Sequence, residues 1–299
     1  MNIHYITGVV LGIVGGIFTQ GGQLLEKKAV NEVRRDHPEK GFMRSLFKSP
    51  TWVVGFFVGL GLGTAGYMLA QSMIGPALVP GLMASGLIVL AIGSVRMNKE
   101  ELNASEILGI ILMVIGILFL GLSGLGINAI QVRATLADPK ALTRIAIFTS
   151  CFISFFITMR VLVIVIKNRR GMFIALGNGF ISCMTDFWIN PLLALAALVL
   201  SRRGTTAQIL IVGIAASILV FGAMVITWQN QVAFKYAQAS NIVPLAQVPI
   251  QIAPIIVYFY IFQLTPPRPI SVFFILAGTI LTIVAGFLLG RRPEVPISE

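Results

Sequence analysis

Long apolar stretches alternate with short polar or Pro/Gly-marked breaks along most of the chain. A helix that crosses about 30 Å of hydrocarbon needs roughly 20 apolar residues, and stretches of that length recur throughout. The pattern predicts about nine spans and leaves a tenth open. Because the stretches are apolar throughout instead of alternating, they predict helices and not the strands of a transmembrane barrel. Their approximate bounds are 3–26, 52–73, 76–96, 105–126, 141–166, 171–199, 207–231, 240–262 and 269–290.

Composition supports the same fold class. Of the 299 residues 57% are hydrophobic and only 11% are charged, about half the charged fraction of a water-soluble domain. That is too little polar surface to cover a globule in water, whereas lipid needs no such covering. The sequence therefore predicts an all-α integral membrane protein whose main partner is the lipid bilayer.

The net charge of +11 follows from basic residues between the spans and not from one patch on a soluble module. This distribution argues against a nucleic-acid partner. Most of these residues fall at 27–50, 96–101, 167–170, 235 and 291–292. With an odd number of spans, all of these segments lie on the same side of the membrane. Because basic loops stay in the cytoplasm, we expect a cell-membrane protein with its N-terminus outside and its C-terminus inside.

The order of breaks and spans occurs twice. Residues 77–80 (Ala-Leu-Val-Pro) open one span, and residues 241–244 (Asn-Ile-Val-Pro) open another. Each is followed by a break and then by a span with two glycines, Gly109 and Gly116 in one case and Gly278 and Gly286 in the other. The repetition predicts two four-helix units that an odd linker helix inverts relative to each other, a common plan for transporters.

The repeat also predicts the domain bounds. The first transmembrane repeat would cover 1–126 with a cytoplasmic loop at 27–50, the linker helix 127–170, and the second repeat 171–299.

Two rows of glycines at four-residue spacing indicate close helix packing. Gly8, Gly12 and Gly16 lie in the first span, and Gly55, Gly59 and Gly63 lie in the second. Such rows let helix backbones approach each other within van der Waals contact.

Asp186 is the one acidic residue that lies well inside a predicted span. Asn178, Ser182, Asp186 and Asn190 follow one another at four-residue spacing, which places them on one helix face. Pro191 is expected to break this helix and free backbone carbonyls. A carboxylate in hydrocarbon indicates a solute or coupling-ion site, with Asp186 as the candidate metal ligand. The alternative is a structural aspartate bonded to a neighbouring helix.

The first span offers amide ligands for the same site. In the alignment of the two repeats Gln20 corresponds to Asp186, and Gln23 follows it by nearly one turn. We expect both amides to contribute to this site, near mid-depth in the membrane. The alternative is that they form hydrogen bonds between helices.

The seventh and eighth spans carry further candidates. Trp228 and Asn230 lie near the end of the seventh span, and Gln247 and Gln251 lie one turn apart in the eighth, which also contains three prolines. Amides and carbonyls freed by proline suit a hydrated cation or a polar metabolite. A position in the interfacial aromatic belt is the alternative for Trp228 and Asn230.

The sequence gives no support for an enzyme. It contains no phosphate-binding G-x-x-x-x-G-K-[ST] loop, and its two histidines, His4 and His37, lie far from any serine that would need a base. No Cys/His cluster has metal-ligand spacing, and no cofactor is expected.

Several short motifs resemble a known family. They include residues 24–28 (Leu-Leu-Glu-Lys-Lys), 48–52 (Lys-Ser-Pro-Thr-Trp), 77–80, 99–103 (Lys-Glu-Glu-Leu-Asn), 230–233 (Asn-Gln-Val-Ala) and 243–244 (Val-Pro). Together with the four-helix unit they resemble the drug/metabolite transporter superfamily, which includes EamA-like proteins. The nine-span plan is most similar to the NIPA-like magnesium transporters.

The resemblance implies a carrier of a small polar solute, with Mg²⁺ or another small cation favoured. Export of amino acids or similar small metabolites is one alternative, and a membrane scaffold subunit without transport activity is another. A homodimer is left open.

Overall fold

The computed structural model describes residues 3–36, 42–74, 79–83, 85–125, 127 and 129–289. Within these ranges the regular structure is entirely helical. The helices are α1 (Ile3–Asp36), α2 (Phe42–Lys48), α3 (Pro50–Phe56), α4 (Thr64–Ile74), α5 (Val79–Met83), α6 (Ser85–Asn98), α7 (Ala104–Leu122), α8 (Ala129–Leu136), α9 (Pro139–Val165), α10 (Arg170–Leu200), α11 (Thr206–Tyr236), α12 (Ala239–Ile256) and α13 (Pro269–Leu289). A π-helical segment, Phe57–Gly63, joins α3 to α4, and another, Val257–Ile261, extends α12.

Among the described residues, eight helices are long and apolar enough to cross a membrane. They correspond to eight of the nine predicted spans. The described part of the remaining span, predicted at 76–96, consists of α5 and the shorter apolar helix α6. The all-α integral membrane fold is therefore confirmed.

Helix starts follow from local capping. Ser49 accepts a hydrogen bond from the Trp52 N–H at 3.5 Å, with Pro50 in the first turn of α3. Asp138 plays the same part for α9, where it accepts from the Lys140 N–H at 3.0 Å. These polar residues supply acceptors for N–H groups that have no partner within the helix.

Three local expectations were wrong. α1 continues ten residues beyond the predicted end at position 26, so the predicted loop at 27–50 consists largely of α1 and α2. The predicted linker contains an additional short helix, α8, before α9. α10 runs through Pro191 to Leu200, although proline removes one backbone donor.

The two halves pack alike. In the first half α1 packs against α3–α4 and against α5–α6, and in the second half α10 packs against α11 and α12. The most extensive contact between the halves joins α7 to α13. Each half therefore has a central helix, α1 or α10, against which the neighbouring helices pack.

The contact between α7 and α13 is reciprocal. A Cβ atom built on Gly116 would lie 3.0 Å from the Gly278 carbonyl oxygen, and one built on Gly278 would lie 2.8 Å from the Gly116 oxygen. Gly109 faces Leu289, whereas Leu120 faces Gly278. Residue numbers thus fall along α13 as they rise along α7. These equivalent helices are antiparallel, as an inverted repeat requires.

The glycine rows pack helices within the first half. Cβ atoms built on Gly55 and Gly63 would come within 3 Å of atoms of α1, and Gly16 is as close to the backbone of Met83 in α5. The prediction of close packing is confirmed for these positions. Only glycine permits such approaches.

Candidate functional site

One end of the bundle is fastened by buried polar contacts. We call it the charged end; α1, α6 and α11 finish there, and α7, α10 and α12 begin there. The Lys27 Nζ donates to the carbonyl oxygens of Phe234 at 2.5 Å and Ala237 at 2.9 Å. These are carbonyls at the C-terminal end of α11, where a cation interacts favourably with the helix dipole.

Glu100 caps the N-terminus of α12. Its Oε1 accepts from the Ala239 N–H at 2.8 Å, and its Oε2 accepts from the Ser240 N–H at 3.1 Å and the Ser240 hydroxyl at 2.7 Å. A carboxylate at a helix N-terminus satisfies amide donors that lack partners within the helix. The turn between α11 and α12 is thus tied to the loop between α6 and α7.

Two further glutamates connect helices at the charged end. Glu106 accepts from the Asn241 Nδ2 at 2.8 Å and from the Asn103 N–H at 2.7 Å. Glu26 accepts from the Gln231 side-chain amide, which joins α1 to α11. We call Glu26, Lys27, Glu100, Glu106 and their partners on α11 and α12 the closure network.

Sequence reasoning missed this network. Glu26 and Lys27 were placed at the end of a span and the start of a loop, but both are buried, as are Glu100 and Glu106. Glu26 continues the three-residue spacing of Gln20 and Gln23, a periodicity that was available in the sequence. No sequence signal assigns Glu100 to the start of a helix that begins 139 residues later.

The Asp186 side chain is accessible although protein surrounds it closely. It interacts electrostatically with Tyr67 of α4, which belongs to the opposite half of the molecule. Asp186 is therefore exposed and lies on a side of α10 that is within electrostatic range of the first half. Ser182, one turn closer to the charged end, is half-buried.

Asn178 lies two turns from Asp186 on the same helix, about 12 Å nearer the charged end. Its Nδ2 donates to the Asn230 Oδ1 at 2.6 Å and to the Ile226 carbonyl oxygen at 3.3 Å. Two of the predicted site residues, Asn178 and Asn230, are thus in direct contact, and Asn230 directly precedes Gln231, which bonds to Glu26.

Contacts between helices also fix the depth of the α1 amides. Gln231 bonds to Glu26, and the preceding residue, Asn230, bonds to Asn178, so Asn178 lies near the depth of Glu26. Gln23 and Gln20 precede Glu26 on α1 and lie about 4.5 Å and 9 Å farther from the charged end. Both amides therefore lie between the depths of Asn178 and Asp186.

These side chains carry acceptors without donors. Within the described ranges, the Gln20 Oε1, Gln23 Oε1 and Asn178 Oδ1 are buried and accept no hydrogen bond. A buried acceptor left unpaired costs on the order of 1–3 kcal/mol, so it indicates a position that a ligand can satisfy. We call Asp186, Ser182, Gln20, Gln23, Asn178 and Asn230 the polar track.

Carboxylate and amide oxygens at successive depths in an apolar bundle suit a cation. The family model described as magnesium transporter NIPA matches residues 3–295, nearly the whole chain. The chain belongs to the magnesium transporter NIPA family. It is a multi-pass membrane transporter of a small cation, and the amino-acid exporter and scaffold alternatives are not favoured. No curated protein and no solved structure matches it.

Not every predicted residue of this NIPA-family chain points into the track. The Asn190 Nδ2 donates to the carbonyl oxygens of Asp186 at 3.3 Å and Phe187 at 3.4 Å on its own helix. Pro191 has no N–H for the Phe187 carbonyl, and Asn190 supplies a donor instead. This bonding explains how α10 passes through the proline.

Three other predicted residues lie on α11 and α12. The Gln251 Nε2 donates to the Gln247 Oε1 at 3.2 Å, one turn away along α12. Trp228 is 52% exposed and lines a pocket with residues of α2, and Asp186 is not among the residues that line this pocket.

The transporter's ligand chemistry fits a hydrated ion. In the part of the chain that the structure describes, no group of three or more His, Cys, Asp or Glu side chains is placed to hold a metal ion. A bare Mg²⁺ would need such a cage, whereas a partly hydrated ion requires few direct ligands and is well served by amide oxygens.

Proposed function

We propose that this NIPA-family chain carries Mg²⁺ along the polar track, from Asp186 toward the closure network. The observation that carries the proposal is the row of buried amide oxygens without donors, those of Gln20, Gln23 and Asn178, at successive depths below Asp186. Mg²⁺ retains several waters, and those waters can donate to these oxygens.

Asp186 is the entry ligand in this proposal. Its carboxylate is the one acidic group on the polar track, and its accessible position admits an ion that still holds its inner water shell. The negative charge offsets the cost of bringing a divalent cation into an apolar bundle. Tyr67, from the other half, supplies a hydroxyl close to the same carboxylate.

The charged end faces the cytoplasm in this proposal. Arg34 and Arg44, together with Lys235, lie at this end, and basic residues concentrate on the cytoplasmic side of membrane proteins. The N-terminus is then outside, and Asp186 lies toward the outside.

The closure network is the inner gate. It fastens the turn between α11 and α12 to α1 and to the loop between α6 and α7. Passage of an ion requires release of these contacts, and the inverted repeat provides the alternative packing in which the other end is closed. In this proposal the fastened charged end makes this an inward-closed state.

The test is Mg²⁺ uptake into proteoliposomes that contain a Mg²⁺-sensitive fluorophore. We expect Asp186→Asn to slow uptake at least tenfold, and Glu32→Gln, which alters an exposed carboxylate outside the polar track, to leave it unchanged. Asp186→Asn is nearly isosteric, and a thermal unfolding curve checks that it folds. Uptake at the parental rate in Asp186→Asn would refute the site.

A second arm tests the substrate. The parent protein is given an amino-acid panel and other divalent cations in place of Mg²⁺. We expect uptake of Mg²⁺ and no uptake of amino acids. Amino-acid uptake without Mg²⁺ uptake would refute the proposed substrate and leave the fold assignment intact.

A further inference from the structure

A pocket of about 360 Å³ lies between α2 and the C-terminal end of α11. It is separate from the polar track, and none of its lining residues is acidic. They are Phe42, Met43, Arg44, Trp228, Val232, Lys235 and Tyr236. The pocket thus combines two cations with apolar and aromatic walls.

The two cations lie at the charged end. Arg44 is exposed, and the Lys235 Nζ lies 4.4 Å from the centre of the Phe42 ring, which holds α2 against α11. A cation over an aromatic face keeps its charge available to an anion on its other side. Arginine and lysine together suit a phosphate group.

The apolar part of the pocket continues along the outer face of α11. Phe221, Met224 and Trp228 are 67%, 63% and 52% exposed and follow one another at three- and four-residue spacing. Val232 and Lys235 extend the same helix face into the pocket. An apolar strip therefore ends at a lysine and contains a tryptophan, a residue type that is enriched where hydrocarbon meets headgroups.

We propose that this pocket binds one anionic phospholipid of the leaflet at the charged end. The phosphate of the headgroup lies between Arg44 and Lys235, and an acyl chain follows the strip of Phe221, Met224 and Trp228. Basic pockets between helices at the cytoplasmic interface bind anionic headgroups by this chemistry. A soluble phosphate has no use for the apolar strip, which favours the lipid.

The lipid would act on the closure network. The Lys235 carbonyl oxygen accepts from the Arg34 side chain at 3.0 Å, and the neighbouring Phe234 carbonyl accepts from Lys27. A lipid that holds the Lys235 side chain therefore stabilises the fastened position of the end of α11.

Trp228 reports on occupancy. The protein is reconstituted in nanodiscs with bromine-labelled phosphatidylglycerol or bromine-labelled phosphatidylcholine, since bromine quenches tryptophan fluorescence on contact. The contribution of Trp228 is the difference between the parent protein and Trp228→Phe. Trp52 and Trp188 are buried and change little in this difference. We expect the anionic lipid to quench Trp228 at least twice as strongly.

Matched charge variants test the pocket itself. R44Q/K235Q removes two cations from the pocket, and R96Q/K167Q removes two exposed cations from the same end but outside it. We expect the first pair to abolish the preference for the anionic lipid and the second pair to retain it. R44Q alone, which leaves the contact between Lys235 and Phe42 intact, is expected to reduce the preference.

Two results would overturn the proposal. They are equal quenching by both lipids in the parent protein and a preference that persists in R44Q/K235Q.

Discussion

Asn241 on α12 donates its side-chain amide to Glu106 on α7 at 2.8 Å, and both residues are buried. The bond crosses from one half of the inverted repeat to the other. Asn241 opens one of the two matching motifs, Asn-Ile-Val-Pro, while Glu106 follows the charged loop of the other half. The two halves are thus joined by Asn241 and Glu106, and these residue types are not repeated at the matching positions of the other half.

Loss of this bond should destabilise the protein. Asn241→Leu leaves the Glu106 Oε1 buried without that donor, and we expect a cost of about 1–3 kcal/mol. Thermal unfolding in detergent micelles measures it. Asn168→Leu, on an exposed turn, is the control and should shift the midpoint little. Equal midpoints for the two variants would show that the bond contributes nothing.

Lys27 should control access from the charged end. Lys27→Met removes the donor from two carbonyls of the α11 turn. We expect a cysteine placed at Ser182, with both native cysteines replaced, to react several times faster with a maleimide applied at this end. Lys28→Met changes an exposed neighbour that forms an ion pair with Glu32 on the surface. An increase of the same size in this control would argue against a gate at Lys27.

Gly116 should be intolerant of even a methyl group. Its added Cβ would lie 2.8 Å from the Thr282 hydroxyl and 3.0 Å from the Gly278 carbonyl. We expect Gly116→Ala to cost about 1–3 kcal/mol through overpacking. Gly213→Ala has open space around the new methyl and should be neutral or up to about 1 kcal/mol stabilising. Unfolding midpoints compare the two, and similar shifts would rule out the close crossing of α7 and α13.

Tyr67 should influence transport through Asp186. Tyr67→Phe keeps the ring and removes the hydroxyl that interacts electrostatically with that carboxylate, and we expect Mg²⁺ uptake to slow by about tenfold or less. Tyr260→Phe, at a partly exposed ring, should transport at the parental rate. If Tyr67→Phe takes up Mg²⁺ at the parental rate over a range of Mg²⁺ concentrations, Tyr67 of the first half takes no part in the entry site at Asp186.

Candidate site residues were predicted unevenly. The stripe on α10 follows from four-residue spacing, and Asn178, Ser182 and Asp186 do line one face of a helix that continues through Pro191. Trp228 was misplaced because a tryptophan near a helix end gives no direction around the helix. Its neighbours come from α2, which lies inside a stretch predicted as a loop.

The sequence by itself determined the solvent and the helices, and it predicted an inverted repeat. Those properties depend on local runs of apolar residues and on the order of the polar and Pro/Gly-marked breaks between them, which can be compared along one chain. Only the tertiary structure decided which charges are buried. Glu100 and the N-terminus of α12 lie far apart in sequence, and their pairing depends on how the halves pack and not on any local pattern.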